Sequence, residues 1–486
     1  MPKTGKNEMI KSSFTVAVMA SLLAGCAAVP HDKPAFMPLA APTMGLEGPS
    51  ASVASDWWTE MNDPQLDRIM ADALAGNPSL DAAIARLRVA TATIDADRAG
   101  LQPQIGADVQ ETRTRLSEKY IIPPPYGGST QWVGTAQANL SWSLDLAGKQ
   151  KALVAQARAN ADAAGLDVAA ARIALSSAVA STYVNLARAE AQAKIAADFV
   201  ASRQEQLGIA HSRVRNQLAS DFDLRASETL LAEAQQAKVR ADGDRLLMIH
   251  ALAALAGRGA DYYATITPVA LAYDRALPLP AKLPADLLGR RPDILAARAR
   301  IEGAEAGRKM AKAEFYPDID IKAFVGSSAL GLGALFTGGA LTYGAGPALH
   351  LPIFEGGRLK ADYKGAVAGI DVAIADYNAK VVQAVREAAD ALSAVHTNAA
   401  DAAQQRQIVA GLGETVRLDE VRIRTGLGAR LDVLDAGDRL LAAKQHQADI
   451  EADGAVRRIQ LLTAMGGGFT PLSHITASVD AVAHQR

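Results

Sequence analysis

An internal duplication is the feature that most constrains how this chain folds. The stretch RVRNQLASDFDL at Arg213–Leu224 recurs in outline 209 residues later as RIRTGLGARLDV, with arginine, leucine and aspartate at matching positions. Further landmarks match at offsets of 209 or 214, namely Gly148 with Gly357, Ala256 with Met465, Pro78 with Pro292 and Pro103 with Pro317. A repeat of this length predicts two halves built on one structural plan.

Long helices account for most of each half. Lys149–Val214 contains no proline, and it carries apolar residues at steps of seven from Val179 to Val214. A second series from Val381 to Ile423 lies in register with the first at the 209-residue offset. Heptads sustained over this length favour coiled-coil packing. A helix of about 65 residues would span roughly 100 Å.

Each half also contains one segment with period-two alternation, which predicts a β-hairpin. The four predicted strands are Gln104–Leu116, Gln131–Leu144, Asp318–Ser328 and Leu341–Ile353. A strand of about ten residues can cross a bilayer when it is tilted. A soluble four-stranded sheet is the alternative. Four strands cannot close a barrel alone, so transmembrane strands would require several chains, and three chains would supply twelve strands.

Composition excludes several other classes of protein. The chain has 486 residues, a net charge of -2 and 49% apolar residues, which gives no support to nucleic-acid binding. No apolar run of 18 residues follows the leader, which argues against a membrane-spanning helix. The eight histidines are dispersed without metal-ligand spacing, and no nucleotide-binding or hydrolase motif is present. We therefore expect neither an enzyme, a metal site nor a cofactor.

The N-terminus has the layout of an export signal, with lysines followed by the apolar run Phe14–Ala24. The sequence Leu23-Ala24-Gly25-Cys26 resembles a bacterial lipobox, in which the cysteine is lipidated and becomes the mature N-terminus. An ordinary signal peptide with a chance cysteine is the alternative. Ala27 follows the cysteine instead of an aspartate, which favours the outer membrane. We expect a signal peptide at 1–25 and a lipid-anchored tether at 26–56.

The remaining boundaries follow from the repeat. The first structural repeat is predicted at 57–257 and the second at 284–468. An equatorial linker is predicted at 258–283 and a C-terminal tail at 469–486.

Five short motifs resemble the TolC/OprM outer-membrane efflux family, in particular its NodT-type lipoprotein branch. They are Asp56-Trp57-Trp58 with Asp63-Pro64-Gln65-Leu66, Arg290-Arg291-Pro292-Asp293-Ile294, Ala313-Glu314-Phe315-Tyr316-Pro317, Pro352–Arg358 and Asp432-Val433-Leu434-Asp435-Ala436. The resemblance runs from about Trp57 to Gly468.

The resemblance implies a mixed, mostly α fold and a homotrimeric duct. Its parts would be a twelve-stranded transmembrane β-barrel, with four strands from each chain, and a long α-helical coiled-coil barrel in the periplasm. The implied function is passive export of small molecules as the outer membrane channel of a tripartite efflux pump. Its implied partners are a periplasmic adaptor, a proton-driven inner-membrane pump and outer membrane lipid. A duct for type I protein secretion and a lipid-anchored periplasmic scaffold without a pore remain the alternatives.

The helix reversal at Gly426 and Gly428 is the candidate gate. Asp432 and Asp435 are three residues apart and share one helix face, so three chains would form two rings of carboxylates. In the family, aspartates of the matching stretch line the closed constriction. Such rings favour cations. Arg430 is expected to pair with either aspartate. The alternative is that both aspartates interact with the positive end of the helix dipole.

The two helix reversals are also the candidate adaptor contacts, because family tips of this kind contact the adaptor. The candidate residues are Arg215, Leu218, Ser220, Arg424, Gly426 and Leu427. Ordinary solvated turns are the alternative. Four aromatic residues, Trp132, Trp142, Phe324 and Tyr343, are expected in belts at the membrane interface, or packed between strands or subunits.

Overall fold

In the computed structural model the residues described are 29–40, 44, 46, 53–119, 121–269 and 286–470. The predicted signal peptide and Cys26 lie outside these residues, as do most of the predicted linker and tail.

The described elements follow the order that the duplication predicts. In the first half α1 is Pro64–Gly76, α2 Pro78–Ala99, β1 Gln104–Arg115, β2 Thr130–Ser143, α3 Lys149–Arg215 and α4 Asp221–Leu255. In the second half α5 is Pro292–Ala313, β3 Asp318–Leu330, β4 Leu341–His350, α6 Arg358–Arg424 and α7 Arg430–Ala464. Short helical segments lie at Trp57–Met61, Ala260–Thr265, Leu287–Arg290, Leu332–Leu335 and Gly338–Ala340.

Equivalent helices in the two halves have equal lengths. The helices α2 and α5 have 22 residues each, α3 and α6 have 67, and α4 and α7 have 35. At 1.5 Å per residue, α3 and α6 each extend for about 100 Å. The mostly helical fold and its internal duplication are therefore confirmed.

The four strands form one antiparallel sheet in the order β1-β2-β3-β4. Gln104 of β1 pairs with Ser141, Trp142 pairs with Ile321, and Asp318 pairs with His350. In the described part of the chain, β1 and β4 each have only one neighbouring strand. The sheet therefore has two free edges.

Contacts divide the chain into two compact units, which we call the sheet unit and the helix unit. The sheet unit draws its described residues from Met1–Pro38, Leu87–Ala163 and Ala297–Asp376. The helix unit draws its described residues from Leu39–Arg86, Ala164–Ala296 and Tyr377–Arg486. Each unit therefore combines segments of both halves.

Each unit has its own hydrophobic core. In the helix unit, Leu66, Val179, Leu186 and Leu252 are buried in one cluster. In the sheet unit, the ring of Phe315 packs edge-on against that of Tyr363 at a centroid distance of 6.3 Å. The heptad positions Val179 and Leu186 are thus core residues, as the sequence pattern predicts.

One described helix, α3, is long and apolar enough to cross a membrane by length and composition alone. It contains an 18-residue window with a mean hydropathy of 1.4, although the sequence lacks a continuous apolar run of that length. Val179, Tyr183 and Leu186 of this helix are buried in the core. Core packing therefore explains part of its apolar character.

Candidate functional site

The two helix reversals, which we call the tips, have the same backbone geometry. The backbone N–H of Leu218 donates to the carbonyl of Arg213, and that of Leu427 donates to the carbonyl of Arg422, both at 2.8 Å. The equivalent residues Gln217 and Gly426 have φ angles of 60° and 77°. This left-handed conformation closes each helix and favours glycine.

Gly428 lies close to the preceding helix turn, although the equivalent residue of the first tip is Ala219. A Cβ atom added at Gly428 would lie 3.0 Å from the Cβ of Arg422, whereas one added at Gly426 would meet nothing within 4 Å. Gly426 therefore allows the left-handed backbone angle, and Gly428 allows the turn to pack closely against Arg422.

Apolar side chains project from both tips. Leu218 is 69% exposed and Leu427 is 75% exposed. Arg215 and Arg424 are also exposed, and neither has an ion-pair partner among the residues described. Beside the first tip, a groove of about 480 Å³ is lined by Ile209, Arg213 and Leu218 among others. An exposed leucine beside an unpaired arginine thus occurs at each tip.

Two equivalent aspartates cap the helices that return from the tips. The carboxylate of Asp223 accepts hydrogen bonds from the backbone N–H and the hydroxyl of Ser220, at 2.9 and 2.8 Å. The backbone hydrogen bond lowers the pKa of Asp223. Asp432 accepts one bond of 3.1 Å from the N–H of Ala429. Asp432 therefore caps α7 at the positive end of its dipole, a position compatible with the dipole interaction considered as the alternative from the sequence.

Asp435 differs from Asp432. It is exposed, and its carboxylate has no hydrogen bond or ion pair within the described residues. The equivalent residue of the first half is Ala226. The second half alone therefore presents an unpaired carboxylate one turn inside the returning helix.

A third aspartate at the same spacing, Asp438, is buried. Its carboxylate accepts hydrogen bonds from the Ser202 hydroxyl at 2.7 Å and the Gln206 amide at 2.9 Å. It also forms an ion pair of 3.0 Å with Arg203. We call this group the Asp438 clamp. The clamp is not among the residues predicted from the sequence, although Asp432, Asp435 and Asp438 recur at intervals of three.

Arg430 pairs with Glu205 of α3, not with Asp432 or Asp435. Its Nε and Nη2 atoms donate to the two carboxylate oxygens of Glu205 at 2.6 and 3.0 Å. These hydrogen bonds lower the pKa of Glu205. The predicted pairing of Arg430 with a gate aspartate is therefore wrong within one chain, because Glu205 offers a carboxylate for bidentate binding.

The sheet has one apolar and one polar face. Strand pairing places Ile105 beside Leu140 and Ala138 beside Val325, so that odd positions of β1, β3 and β4 share a face with even positions of β2. The apolar residues of this face include Ile105, Val109, Ala136, Ala138, Leu140, Ile321, Ala323, Val325, Tyr343 and Leu349. Glu111, Arg113 and Arg115 lie on the same face, towards the loop that joins β1 to β2. The opposite face includes Gln104, Asp108, Gln110, Gln137, Asn139, Ser141, Asp320, Lys322 and Thr342.

The apolar face is open in the single chain. Ile105, Val109 and Tyr343 are each about three-quarters exposed. On the polar face, the Asn139 amide donates to Asp108 at 2.6 Å. An exposed apolar face opposite a hydrogen-bonded polar face is typical of strands that separate lipid from an aqueous lumen.

Three of the four aromatic residues named above lie on the apolar face. Trp132 and Trp142 are ten residues apart on β2, which corresponds to about 33 Å along the strand. With a tilt of about 40° this spacing becomes about 25 Å, the height of the apolar band in outer membrane barrels. Phe324 lies on the polar face, and its ring covers Gly344. Phe324 is therefore not part of an aromatic belt on the apolar face, because its position in the strand has the opposite parity.

One acid joins both halves where strands meet helices. Lys149 lies 2.9 Å from the carboxylate of Glu314, and Arg358 lies 3.8 Å from it. Lys149 and Arg358 are equivalent residues of the two repeats. Glu314 thus connects the starts of α3 and α6 within the sheet unit.

Arg291 has a comparable role in the helix unit. Its guanidinium pairs with Asp293 at 2.8 Å and with Glu387 at 2.9 Å, and it donates to the carbonyl of Ala464 at 3.3 Å. The equivalent residue of the first half, Asn77, donates to the carbonyl of Leu255 at 2.9 Å. In each half, the side chain of the residue before a proline therefore bonds to the last turn of the final helix, α4 or α7.

No group of histidine, cysteine, aspartate and glutamate suited to a metal ion occurs among the residues that the structure describes. The geometry instead combines a sheet with two chemically different faces and two long helical hairpins with exposed tips. These features define a membrane-associated transport protein.

The comparisons with known proteins identify the family. The model of the outer membrane efflux protein family matches residues 69–258 and 283–467, so this chain belongs to that family. The fusaric acid resistance protein FusA of Burkholderia cepacia is 34% identical over 376 residues, which cover 74% of this chain and 70% of FusA. The probable efflux pump outer membrane protein TtgC of Pseudomonas putida is 29% identical over 475 residues, which cover 95% and 96% of the two chains.

A solved structure shows the same fold. The outer membrane protein VceC from Vibrio cholerae is 31% identical, with a TM-score of 0.76. The match covers 86% of this chain and 100% of VceC.

Proposed function

We propose that this protein is the outer membrane channel of an efflux system and that three copies form the channel. The observation that carries the proposal is a four-stranded sheet with an apolar face, a polar face and two free edges, in a member of the outer membrane efflux family. The apolar face would contact lipid and the polar face would line the lumen.

The free edges support assembly from several copies. Unpaired backbone groups cost several kcal/mol each in hydrocarbon, and about eight strands are needed before a barrel can enclose side chains. Pairing β4 of one copy with β1 of the next would remove the edges, and three copies would close a barrel of twelve strands. The long helices of the three copies would form a helical barrel in the periplasm.

Relatives support small molecules as the cargo. FusA is named for resistance to fusaric acid and TtgC for an efflux pump. We infer that this channel acts passively with a periplasmic adaptor and a proton-driven inner-membrane pump. A lipid on Cys26 would anchor the N-terminus to the outer membrane.

We propose Asp435 as the main gate residue, because of the two candidate aspartates it is the one whose carboxylate is unpaired within the described residues. Three copies would place three such carboxylates near one another. Asp432 would contribute to the same electrostatic field while it caps the helix. Arg430 would support the gate indirectly by fastening the start of α7 to Glu205.

Single-channel recording in a planar bilayer tests the channel and the gate together. We expect the purified protein to form discrete, cation-preferring channels, and we expect Asp435→Ala to reduce the cation preference and raise the conductance. Ala226→Asp is the matched control, because it places an acid at the equivalent position of the first half. It should increase the cation preference.

Two results would contradict these proposals in different ways. Unchanged selectivity in Asp435→Ala would remove the gate assignment and leave the channel intact. An absence of channels from folded protein would remove the channel proposal and favour a lipid-anchored scaffold.

We propose the two tips as the adaptor-binding surface, with Leu218 and Leu427 as apolar contacts beside Arg215 and Arg424. Ser220 and Gly426 would maintain the turns, through a helix cap and a left-handed backbone angle respectively. An exposed apolar side chain beside a cation is a common element of protein interfaces.

Aspartate at both leucine positions should disrupt adaptor binding without affecting the channel. We expect Leu218→Asp with Leu427→Asp to restore drug sensitivity to cells that depend on this channel, because a charge would be desolvated at the interface. The bilayer conductance of the purified variant should be unchanged. Leu218→Met with Leu427→Met keeps an apolar contact and should preserve resistance. Full resistance in the aspartate variant would show that adaptor binding lies elsewhere.

A further inference from the structure

The four long helices of the helix unit lie side by side in a fixed order. Arg245 of α4 forms an ion pair with Glu190 of α3 at 3.6 Å. On its other side, α3 bonds to α7 through Arg188 and Asp453 at 3.0 Å. The Gln405 amide of α6 donates to a backbone carbonyl of α7 at 2.7 Å. The order is therefore α4, α3, α7, α6.

The burial of equivalent helices is unequal. In α7, which has a neighbour on each side, 12 of 35 residues are buried, whereas only three of 35 are buried in the equivalent α4. Val239, Leu246 and Leu247 of α4 remain 72%, 46% and 58% exposed. Ile408 of α6 is 51% exposed. The outer helices of the row thus present apolar residues without a neighbour in the single chain.

The duplication indicates what covers these faces. Each residue of α3 has its equivalent in α6 at a residue number 209 higher. Each residue of α7 has its equivalent in α4 at a residue number 209 lower. The α3–α7 contact therefore has an equivalent between α6 and α4, and these two helices lie at opposite ends of the row. A second copy of the chain can supply the missing neighbour.

We infer that α6 of one copy packs against α4 of the next copy in the register of α3 against α7, with Asp401 opposite Arg240 of the next copy. This inference rests on the proposed trimeric channel. We call the α6–α4 contact between copies the seam.

The charges support this register. Within one chain the Gln192 amide donates to Asp449. The equivalent residues are Asp401 and Arg240, which carry opposite charges. Both are exposed, and neither side chain has a hydrogen bond or ion pair in the described part of the chain. The seam thus replaces an amide–carboxylate bond with an ion pair.

Nearer the tips, the seam lacks the fastening found inside the chain. The Glu205–Arg430 pair has Glu414 and Asp221 as its equivalents, which are both acidic. Arg417 of the same helix neutralises Glu414 at 2.8 Å. The equivalent of Asp438 is Thr229, so the Asp438 clamp has no charged counterpart. The seam therefore has an ion pair at Arg240, and it has fewer polar contacts between helices towards the tips.

Cysteine crosslinking of the full-length protein tests the register. In Arg240→Cys with Asp401→Cys, we expect a short bifunctional thiol reagent to produce covalent dimers and trimers on a denaturing gel. A flexible reagent is preferable to a disulfide, because a disulfide requires Cα atoms within about 7 Å. The matched control is Gln192→Cys with Asp449→Cys, which should crosslink at the mass of one chain.

The outcomes separate this inference from the proposed function. A trimer by native mass that gives no crosslink between copies, or gives one within a chain, would overturn the register and leave the channel proposal intact. A protein that is monomeric by native mass would overturn both. Either single-cysteine variant should give no crosslink, which controls for the natural Cys26.

Charge reversal gives an independent measurement. We expect Arg240→Asp to lower the temperature at which the trimer dissociates, and Asp401→Arg with Arg240→Asp to restore it. A double variant that is no more stable than the single variant would contradict the pairing.

Discussion

Asp438→Ala is expected to lower the free energy of unfolding by about 3 kcal/mol, because it leaves the Arg203 guanidinium without its carboxylate in a largely buried position. The side chains of Asp438 and Arg203 are only 9% and 22% exposed. The amide of Gln206 would also lose its acceptor. Chemical unfolding of the detergent-solubilised protein, followed by helical circular dichroism, measures the change.

Asp435→Ala is the matched control for this stability measurement, because the same residue type is removed one turn away on the exposed side of α7. It should change the free energy of unfolding by less than about 0.5 kcal/mol. Arg203→Ala combined with Asp438→Ala should be less destabilising than the sum of the single changes, since neither charge is then left alone. Equal effects of Asp435→Ala and Asp438→Ala would refute a structural role for the Asp438 clamp.

Arg291→Met is expected to destabilise the helix unit by about 3 kcal/mol, since the carboxylates of Asp293 and Glu387 lose their shared cation. The Arg291 side chain is 12% exposed, so the ion pairs are poorly screened by water. Arg298→Met is the control, because Arg298 is 70% exposed in its weak pair with Glu302. Equal melting temperatures of the two variants would contradict this role of Arg291.

The same substitution should change how stability depends on pH. Burial alone would raise the pKa of Asp293, but hydrogen bonds from Arg291 and its charge outweigh burial and lower it. A lowered pKa in the folded state stabilises the protein above the unfolded pKa of about 3.9, and this stabilisation disappears as the pH falls through the folded pKa. Between about pH 5 and pH 3, Arg291→Met should therefore lose less stability than the natural protein.

The repeat and the order of elements could be predicted from sequence because they depend on local patterns. Proline positions bound α2 and α5, the absence of proline allows α3, and alternation marks the strands. The predicted strand ends differ from the observed ones by three residues at most. The face of the sheet on which Phe324 lies could also have been obtained, by counting its position against Val325.

The Asp438 clamp and the pair between Arg430 and Glu205 could not be predicted in this way. Their partners are more than 200 residues apart, and the contacts depend on which long helices become neighbours. Sequence spacing specifies which side chains share a face of one helix, but it does not specify what that face contacts. Spacing therefore predicts the nearby Asp432 and Asp435 as partners of Arg430, and it does not predict the distant Glu205.

The duplication has an evolutionary consequence. In a ring of six identical half-length chains, every substitution would change all six contacts between neighbours at once. Joining two halves in one polypeptide makes alternate contacts genetically independent, so that one set can carry Arg203, Asp438 and Arg430 while the other carries Leu412, Thr229 and Asp221 at the equivalent positions. Selection can then strengthen the contacts within a chain without also strengthening those between chains.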